Sequence, residues 1–260
     1  MSNDAILLHR PDPHLAVVSI NRPHKRNALD GDAWHQLGEI FRNLRRDETL
    51  RAIILTGTGG AFCAGDDIPA FAAVRDDPPA RQVYWDRIMA CYAAVSDSRV
   101  PVVAAVSGPS VGGGCTLALR CDFRIVDRTA RFGVPPAKLG LVYPPDSTQL
   151  LVAIAGSSTA RRLLYTGELL GAQAALACGL ADAVVPDAVA GALEWVAPIL
   201  DAAPMSLAAA KLACDAAVMG RMADVAPQVM ALSHKADASE DYREGARAFA
   251  EKRKPIFTGR

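Results

Sequence analysis

Short β-branched runs alternate along this chain with longer stretches whose apolar residues recur at helical spacing. Ala16-Val-Val-Ser-Ile20, Ala52-Ile-Ile-Leu-Thr56, Val102-Val-Ala-Ala-Val106 and Phe123-Arg-Ile-Val126 read as strands. Between them, Asp30 to Leu44 and Val83 to Val95 read as helices. In the second, Tyr84, Ile88, Cys91, Tyr92 and Val95 share one face. The alternation predicts an α/β fold. Beyond about Ala188 the pattern turns all-helical, rich in Ala and Met. This predicts a core over residues 1–195 and a helical C-terminal subdomain over 196–260. Asp76-Asp-Pro-Pro79 interrupts the pattern as either a mobile flap over a ligand or an ordinary surface loop.

At 260 residues the chain is long enough for one large domain with a sizeable core. Its 28 basic and 28 acidic residues cancel, so no global field draws it to nucleic acid or a membrane, and an anionic ligand needs a local cluster. The cysteines at 63, 91, 115, 121, 178 and 214 form no C-x-x-C pair. They read as buried free thiols in a reducing compartment. The N-terminus lacks a charged region followed by a long apolar one, so a cytoplasmic location is expected. The histidines at 9, 14, 24, 35 and 234 show no metal-ligand spacing, and Gly57-Thr-Gly59-Gly60 lacks the spacing of a nucleotide loop.

The candidate chemistry lies in two glycine-rich bends. In Ser107-Gly-Pro-Ser-Val-Gly-Gly-Gly-Cys-Thr116, consecutive glycines join a strand to a helix. Free N–H groups at the positive helix end suit a developing oxyanion, although a tight turn alone accounts for the same glycines. Ile53-Ile-Leu-Thr-Gly-Thr-Gly-Gly-Ala-Phe-Cys-Ala-Gly-Asp-Asp-Ile68 is a second β-branched run ending in such a bend. Together with Asn21-Arg-Pro-His-Lys-Arg-Asn-Ala-Leu29 and Phe249-Ala-Glu-Lys-Arg-Lys-Pro-Ile-Phe257, these segments resemble the enoyl-CoA hydratase/isomerase (crotonase) superfamily along nearly the whole chain.

The resemblance implies a spiral of β-β-α repeats and terminal helices that build a trimer, or a hexamer of two trimers. It also implies an acyl-CoA substrate, with coenzyme A part of that substrate and no separate cofactor or metal. The N–H groups of Asp66 and Gly113 would form the oxyanion hole. Lys25 and Lys252 would contact phosphates, and Ala64 and Ile68 would flank the adenine. The two hydratase glutamates are replaced by Thr116 and Pro136, so neither position supplies a carboxylate for general acid–base work. Tyr143, in Leu139-Gly-Leu-Val-Tyr143, matches a tyrosine of the family's methylmalonyl-CoA decarboxylases, which carry a histidine where Asp66 stands.

The leading reading is therefore a decarboxylase-like lyase that uses an oxyanion hole as its electron sink. Hydratase or isomerase activity of fatty-acid metabolism with non-standard acid–base residues is the alternative, as is a non-catalytic acyl-CoA binder. RNA binding, known for an odd member of the family, fits poorly with zero net charge. Three carboxylates lie near these motifs. Asp66 either only lends its amide or also acts as a substitute acid/base. Asp67 caps or braces its turn, and Asp146 with Gln149 reads as a capping box.

Overall fold

The structure is a computed structural model that describes residues 4–260. Strands β1 (Ile6–Asp12) and β2 (Leu15–Ile20) form an antiparallel hairpin, and α1 (Gly31–Leu44) carries the chain to β3 (Ala52–Gly57). Helices α2 (Ile68–Val74) and α3 (Pro78–Ser96) then lead to β4 (Val102–Val106). Two strand–strand–helix turns follow. The first is β5 (Pro109–Val111) after β4, closed by α4 (Gly113–Arg120). The second is β6 (Phe123–Val126), β7 (Arg131–Gly133) and α5 (Pro136–Leu139). Next come α6 (Pro145–Thr166), β8 (Leu170–Gly171), α7 (Ala172–Ala177) and β9 (Ala183–Val184). The chain ends in α8 (Ala188–Leu200), α9 (Pro204–Val218), α10 (Met222–Asp237) and α11 (Glu240–Glu251).

Each of those two turns places its first strand in one sheet and its second in another. The large sheet has the order β1-β2-β3-β4-β6-β9, parallel from β2 onward, and the small one the order β5-β7-β8. The continuous apolar runs follow from burial on both faces of the large sheet. Ile53, Leu55, Val102, Ala104 and Val106 face the main core, with Trp34, Phe41, Ile88 and Leu117. Ala52, Ile54, Val103 and Ala105 face a second core closed by Ala188, Ala192 and Val196 of α8. Those three residues recur every four positions, which makes one helical stripe. The division expected between residues 195 and 196 thus falls inside α8, whose Val196 is fully buried.

The four strands read from the sequence are present, and Asp30 caps α1 by accepting the Ala33 N–H at 2.9 Å. Helix α3 begins at Pro78, earlier than the expected Val83, because Asp77 caps it through the Ala80 N–H at 3.1 Å. Its two prolines occupy the first turn, where a missing N–H costs nothing. Asp76 to Pro79 therefore form a helix junction. Residue 146 is a correction of a different kind. Pro144 is the N-cap of α6, Asp146 lies in its first turn, and Gln149 donates to the Val218 carbonyl, so no capping box forms. The C-terminal region is helical as expected, and α9 docks on the sheet through Lys211 Nζ, 2.8 and 2.9 Å from the Asp122 carboxylate oxygens. No single helix among the described residues is long and apolar enough to cross a membrane.

Candidate active site

The two glycine-rich bends are fastened to each other by their backbones. Cys63 N–H donates to Pro109 O at 2.9 Å and Val111 N–H to Cys63 O at 3.0 Å. Gly114 is required at this seam, because a Cβ there would lie 2.0 Å from the Cys63 oxygen. Gly65 is required twice over. Its φ is +94°, and a Cβ would sit 2.6 Å from Val111 O and 3.1 Å from Gly113 N. Asn27, buried and itself in the left-handed region, holds the preceding bend by donating to Thr58 O at 2.9 Å and to Ala61 O.

This ladder passes over two amides. Leu29 N–H donates to Gly65 O and Asp67 N–H to Leu29 O, both at 2.8 Å, so the pairing skips Asp66. Gly112 N–H goes to Gly133 O, and the Thr116 N–H closes the first turn of α4 on Gly112 O, which leaves Gly113 at the helix start. Among the described residues no backbone carbonyl takes either amide. Gly65, which precedes Asp66, lies directly against Val111 and the start of α4.

Three elements supply side chains around this contact. Trp34 of α1 donates Nε1–H to Asp66 Oδ1 at 3.0 Å. Its ring edge and the Tyr92 hydroxyl each come to 3.0 Å from where a Gly113 Cβ would stand, and the two rings meet edge-on at 5.5 Å. Tyr92 of α3 donates to Gly113 O at 3.4 Å. On α4, Thr116 Oγ1 lies 3.3 Å from Gly112 O and 2.6 Å from the Tyr143 hydroxyl. With the Thr116 proton on Gly112 O, Tyr143 donates to Thr116. Behind them Arg120, one turn after Thr116, stacks on Tyr92 at 5.6 Å and binds Asp146 Oδ2 at 2.5 Å and Ser147 Oγ at 3.0 Å. Its Nε is buried without a hydrogen-bond partner among the described residues.

The charges sort the carboxylates. Burial pushes the Asp66 carboxyl up to about 6 against hydrogen bonds from Trp34 and from its own backbone N–H, which favour the ionised form. Burial acts on Asp67 in the same direction, but the Lys25 hydrogen bond and charge outweigh it and hold this carboxyl below its usual range. Asp67 accepts from Lys25 Nζ at 2.6 Å and from Arg22 Nη2 at 3.2 Å, so it braces the bend. Asp146 is likewise held low, burial being overcome by Arg120. Burial raises the phenols of Tyr92 and Tyr143, and it pushes the Cys63, Cys115 and Cys121 thiols up to about 12. The thiols are packing groups rather than nucleophiles.

Asp66, Gly113, Thr116 and Tyr143 thus gather at one place. Lys25, Ala64 and Ile68 lie along the adjoining bend, Lys25 paired with Asp67, Ala64 half-buried, and Ile68 exposed at the start of α2. Lys252 stands apart, exposed as the left-handed C-cap of α11, and no hydrogen bond or ion pair joins it to that bend. Pro136 opens α5. Sequence reasoning placed Tyr92 on a core face and passed over Trp34 and Arg120. The four-residue spacing of Thr116 and Arg120 on one helix was the available signal for the latter. No cluster of three or more His, Cys, Asp or Glu suited to a metal exists among the described residues.

A family model described as enoyl-CoA hydratase/isomerase matches residues 12–260. The chain belongs to the enoyl-CoA hydratase/isomerase family. A Mycobacterium bovis protein named "Probable enoyl-CoA hydratase echA6" is 36% identical over 243 residues, covering 94% of this chain and 95% of its own length. The (E)-benzylidenesuccinyl-CoA hydratase of Thauera aromatica is 34% identical over 255 residues, covering 95% and 96%. Among solved structures, an enoyl-CoA hydratase/isomerase family protein from Hyphomonas neptunium superposes with TM-score 0.91 at 35% identity over 98% of each chain. The enoyl-CoA hydratase of Bacillus anthracis does so with TM-score 0.90 at 30% identity, covering 99% of this chain and 100% of its own. The α/β architecture with its helical C-terminal region is the crotonase fold.

Proposed function

We propose that this family member acts on an acyl-CoA thioester, holding the enolate oxygen on the Asp66 and Gly113 amides, and that its reaction is decarboxylation of a malonyl-type CoA. The observation that carries the reading is the Thr116–Tyr143 hydroxyl pair, 2.6 Å apart, which joins the first turn of α4 to the segment before α6. Two hydroxyls occupy the place where the family resemblance puts a hydratase glutamate, and Pro136 occupies the other such place. Burial raises the Tyr143 phenol, so near neutral pH it stays a hydrogen-bond donor.

With Thr116 turned from Gly112 O to donate to the Tyr143 oxygen, the phenol proton can hold the substrate carboxylate out of the thioester plane. The C–C bond to that carboxylate then breaks along the carbonyl π system. Carbon dioxide leaves, and the electron pair enters an enolate whose oxygen lies on the two amides. Fixed donors of this kind contribute about 3 kcal/mol each in enzymes where one has been removed. No base is needed for the bond-breaking step.

Lys25 can serve a CoA phosphate without leaving Asp67, because an ammonium group has three donors. Lys252 is the second phosphate contact in this reading, with Ala64 and Ile68 beside the adenine. Coenzyme A belongs to the substrate, and no further cofactor is invoked.

The test is turnover of methylmalonyl-CoA beside crotonyl-CoA by the wild-type protein. Release of carbon dioxide with slow hydration supports the proposal, and fast hydration overturns it. The second reading, hydration or isomerisation with unusual acid–base groups, is favoured by the names of the relatives and by the perturbed Asp66 carboxyl. Tight acyl-CoA binding with no turnover of either substrate would identify a binder.

A further inference from the structure

We infer that the Asp66 side chain carries the proton to and from the substrate α-carbon, so that residue 66 serves the site twice, with its amide on the enolate oxygen and its carboxyl on the carbon. The inference rests on the acyl-CoA reading and adds the group that such chemistry needs once the glutamates are gone.

The neighbouring carboxylates are all committed to cations. Asp30 pairs with Arg22 and caps α1, Asp67 pairs with Lys25 and Arg22, and Asp146 pairs with Arg120. Asp66 alone of these four has no ion pair among the described residues, and its one side-chain partner is the neutral Trp34 indole at 3.0 Å. That indole also places the carboxyl. The ring edge next to Nε1 lies 3.0 Å from where a Gly113 Cβ would stand, so a single rigid ring bridges the Asp66 carboxyl and the residue that carries the second oxyanion donor. An enolate oxygen held by the two amides would thus have its α-carbon beside the carboxyl. Asp66 is half-buried, unlike the fully buried Trp34, so part of it stays open to a ligand.

The groups facing it are Cys63 on its own bend, Tyr84 and Tyr92 from α3, and Trp34 from α1. All are uncharged near neutral pH, and no cation faces the carboxyl. Burial, with no cation to oppose it, raises this carboxyl to about 6, where both protonation states are accessible under working conditions. The step balances in either direction. As carboxylate, Asp66 takes the α-proton, the C–H electron pair becomes the enolate C=C, and the carbonyl π pair moves to oxygen. After loss of carbon dioxide, the protonated carboxyl gives its proton to the α-carbon and recovers one from water.

Exchange of the α-hydrogens of butyryl-CoA with deuterated water isolates this step from any overall reaction. Binding of butyryl-CoA is followed by calorimetry and exchange by mass spectrometry. The wild type should exchange, with a rate that rises through pH 6 and levels off above it. Asp66→Asn keeps the amide and should bind butyryl-CoA normally while losing about 10²–10⁴-fold in exchange. Trp34→Phe removes the hydrogen bond that favours the carboxylate, so the midpoint of the profile should move to higher pH. A merely structural role for Trp34 would leave that midpoint in place.

If the wild type binds without exchange, or Asp66→Asn exchanges at the wild-type rate, the inference falls and the acyl-CoA reading stands. If the wild type does not bind butyryl-CoA, both fall. Should Asp66→Asn fail to fold, the Trp34→Phe profile decides, and an unmoved midpoint overturns the inference.

Discussion

At the scale of single residues, the site depends on atoms that are missing as much as on atoms that are present. Gly65→Ala places a methyl 2.6 Å from Val111 O in a backbone that L-residues avoid. It should destabilise the protein by roughly 1–3 kcal/mol in urea denaturation. It should also weaken turnover more than acyl-CoA binding, because the strain falls on the peptide that carries the Asp66 amide. Tyr143→Phe removes the donor from the Thr116 pair without changing volume. Decarboxylation should slow about 10–100-fold, with acyl-CoA affinity measured by calorimetry nearly unchanged. The two glycine-rich bends and the threonine and proline at 116 and 136 were legible in the sequence, because each follows from the residue type at a motif position. That Trp34 reaches Asp66 was not, since residues 32 apart in sequence meet only after α1 packs under the bend.

At the scale of elements, two ion pairs fasten helices to the framework. Arg120 of α4 reaches Asp146 in the first turn of α6, and this overrides the local capping pattern read from Asp146 and Gln149. A buried guanidinium left unpaired costs more than a helix start without a side-chain cap. The folded Asp146 carboxyl lies below its usual range, so its stabilising share is present above its unfolded pKa and disappears as pH falls through the folded value. Asp146→Asn should therefore flatten the acid limb of a Tm-against-pH curve.

Lys211 ties α9 to Asp122, which also accepts the Val102 N–H at the start of β4, at 2.7 Å. Burial would lower this lysine, but Asp122 outweighs burial and raises it. Its contribution is full below its unfolded pKa and is lost as pH rises through the folded one. Lys211→Met should cost about 3 kcal/mol, read as a lower urea midpoint, and release α9 first in hydrogen exchange.

At the scale of the whole molecule, the C-terminal helices display apolar side chains that one chain leaves uncovered. Val218, Met222 and Met230 are exposed, as is Val142 at 89%, and α10 has no fully buried residue. We expect sedimentation to show a trimer, or a hexamer of two trimers, and Met230→Asp to shift it toward smaller species. A stable monomer at micromolar concentration would contradict this.

The amino-acid order by itself determined the strand runs, the helical C-terminal region, the two glycine bends and the threonine and proline at 116 and 136. All of these are local: a β-branched run, a helical period or an unsubstitutable glycine declares itself within a few residues. Only the tertiary structure decided which carboxylate stays unpaired, that α8 closes a second core across residue 195, and that Asp67 braces while Asp66 faces an indole. Those outcomes depend on desolvation and on partners distant in sequence. A carboxyl beside Arg22 and Lys25 is held below its usual range, while its neighbour one residue away, buried against Trp34, is raised to about 6.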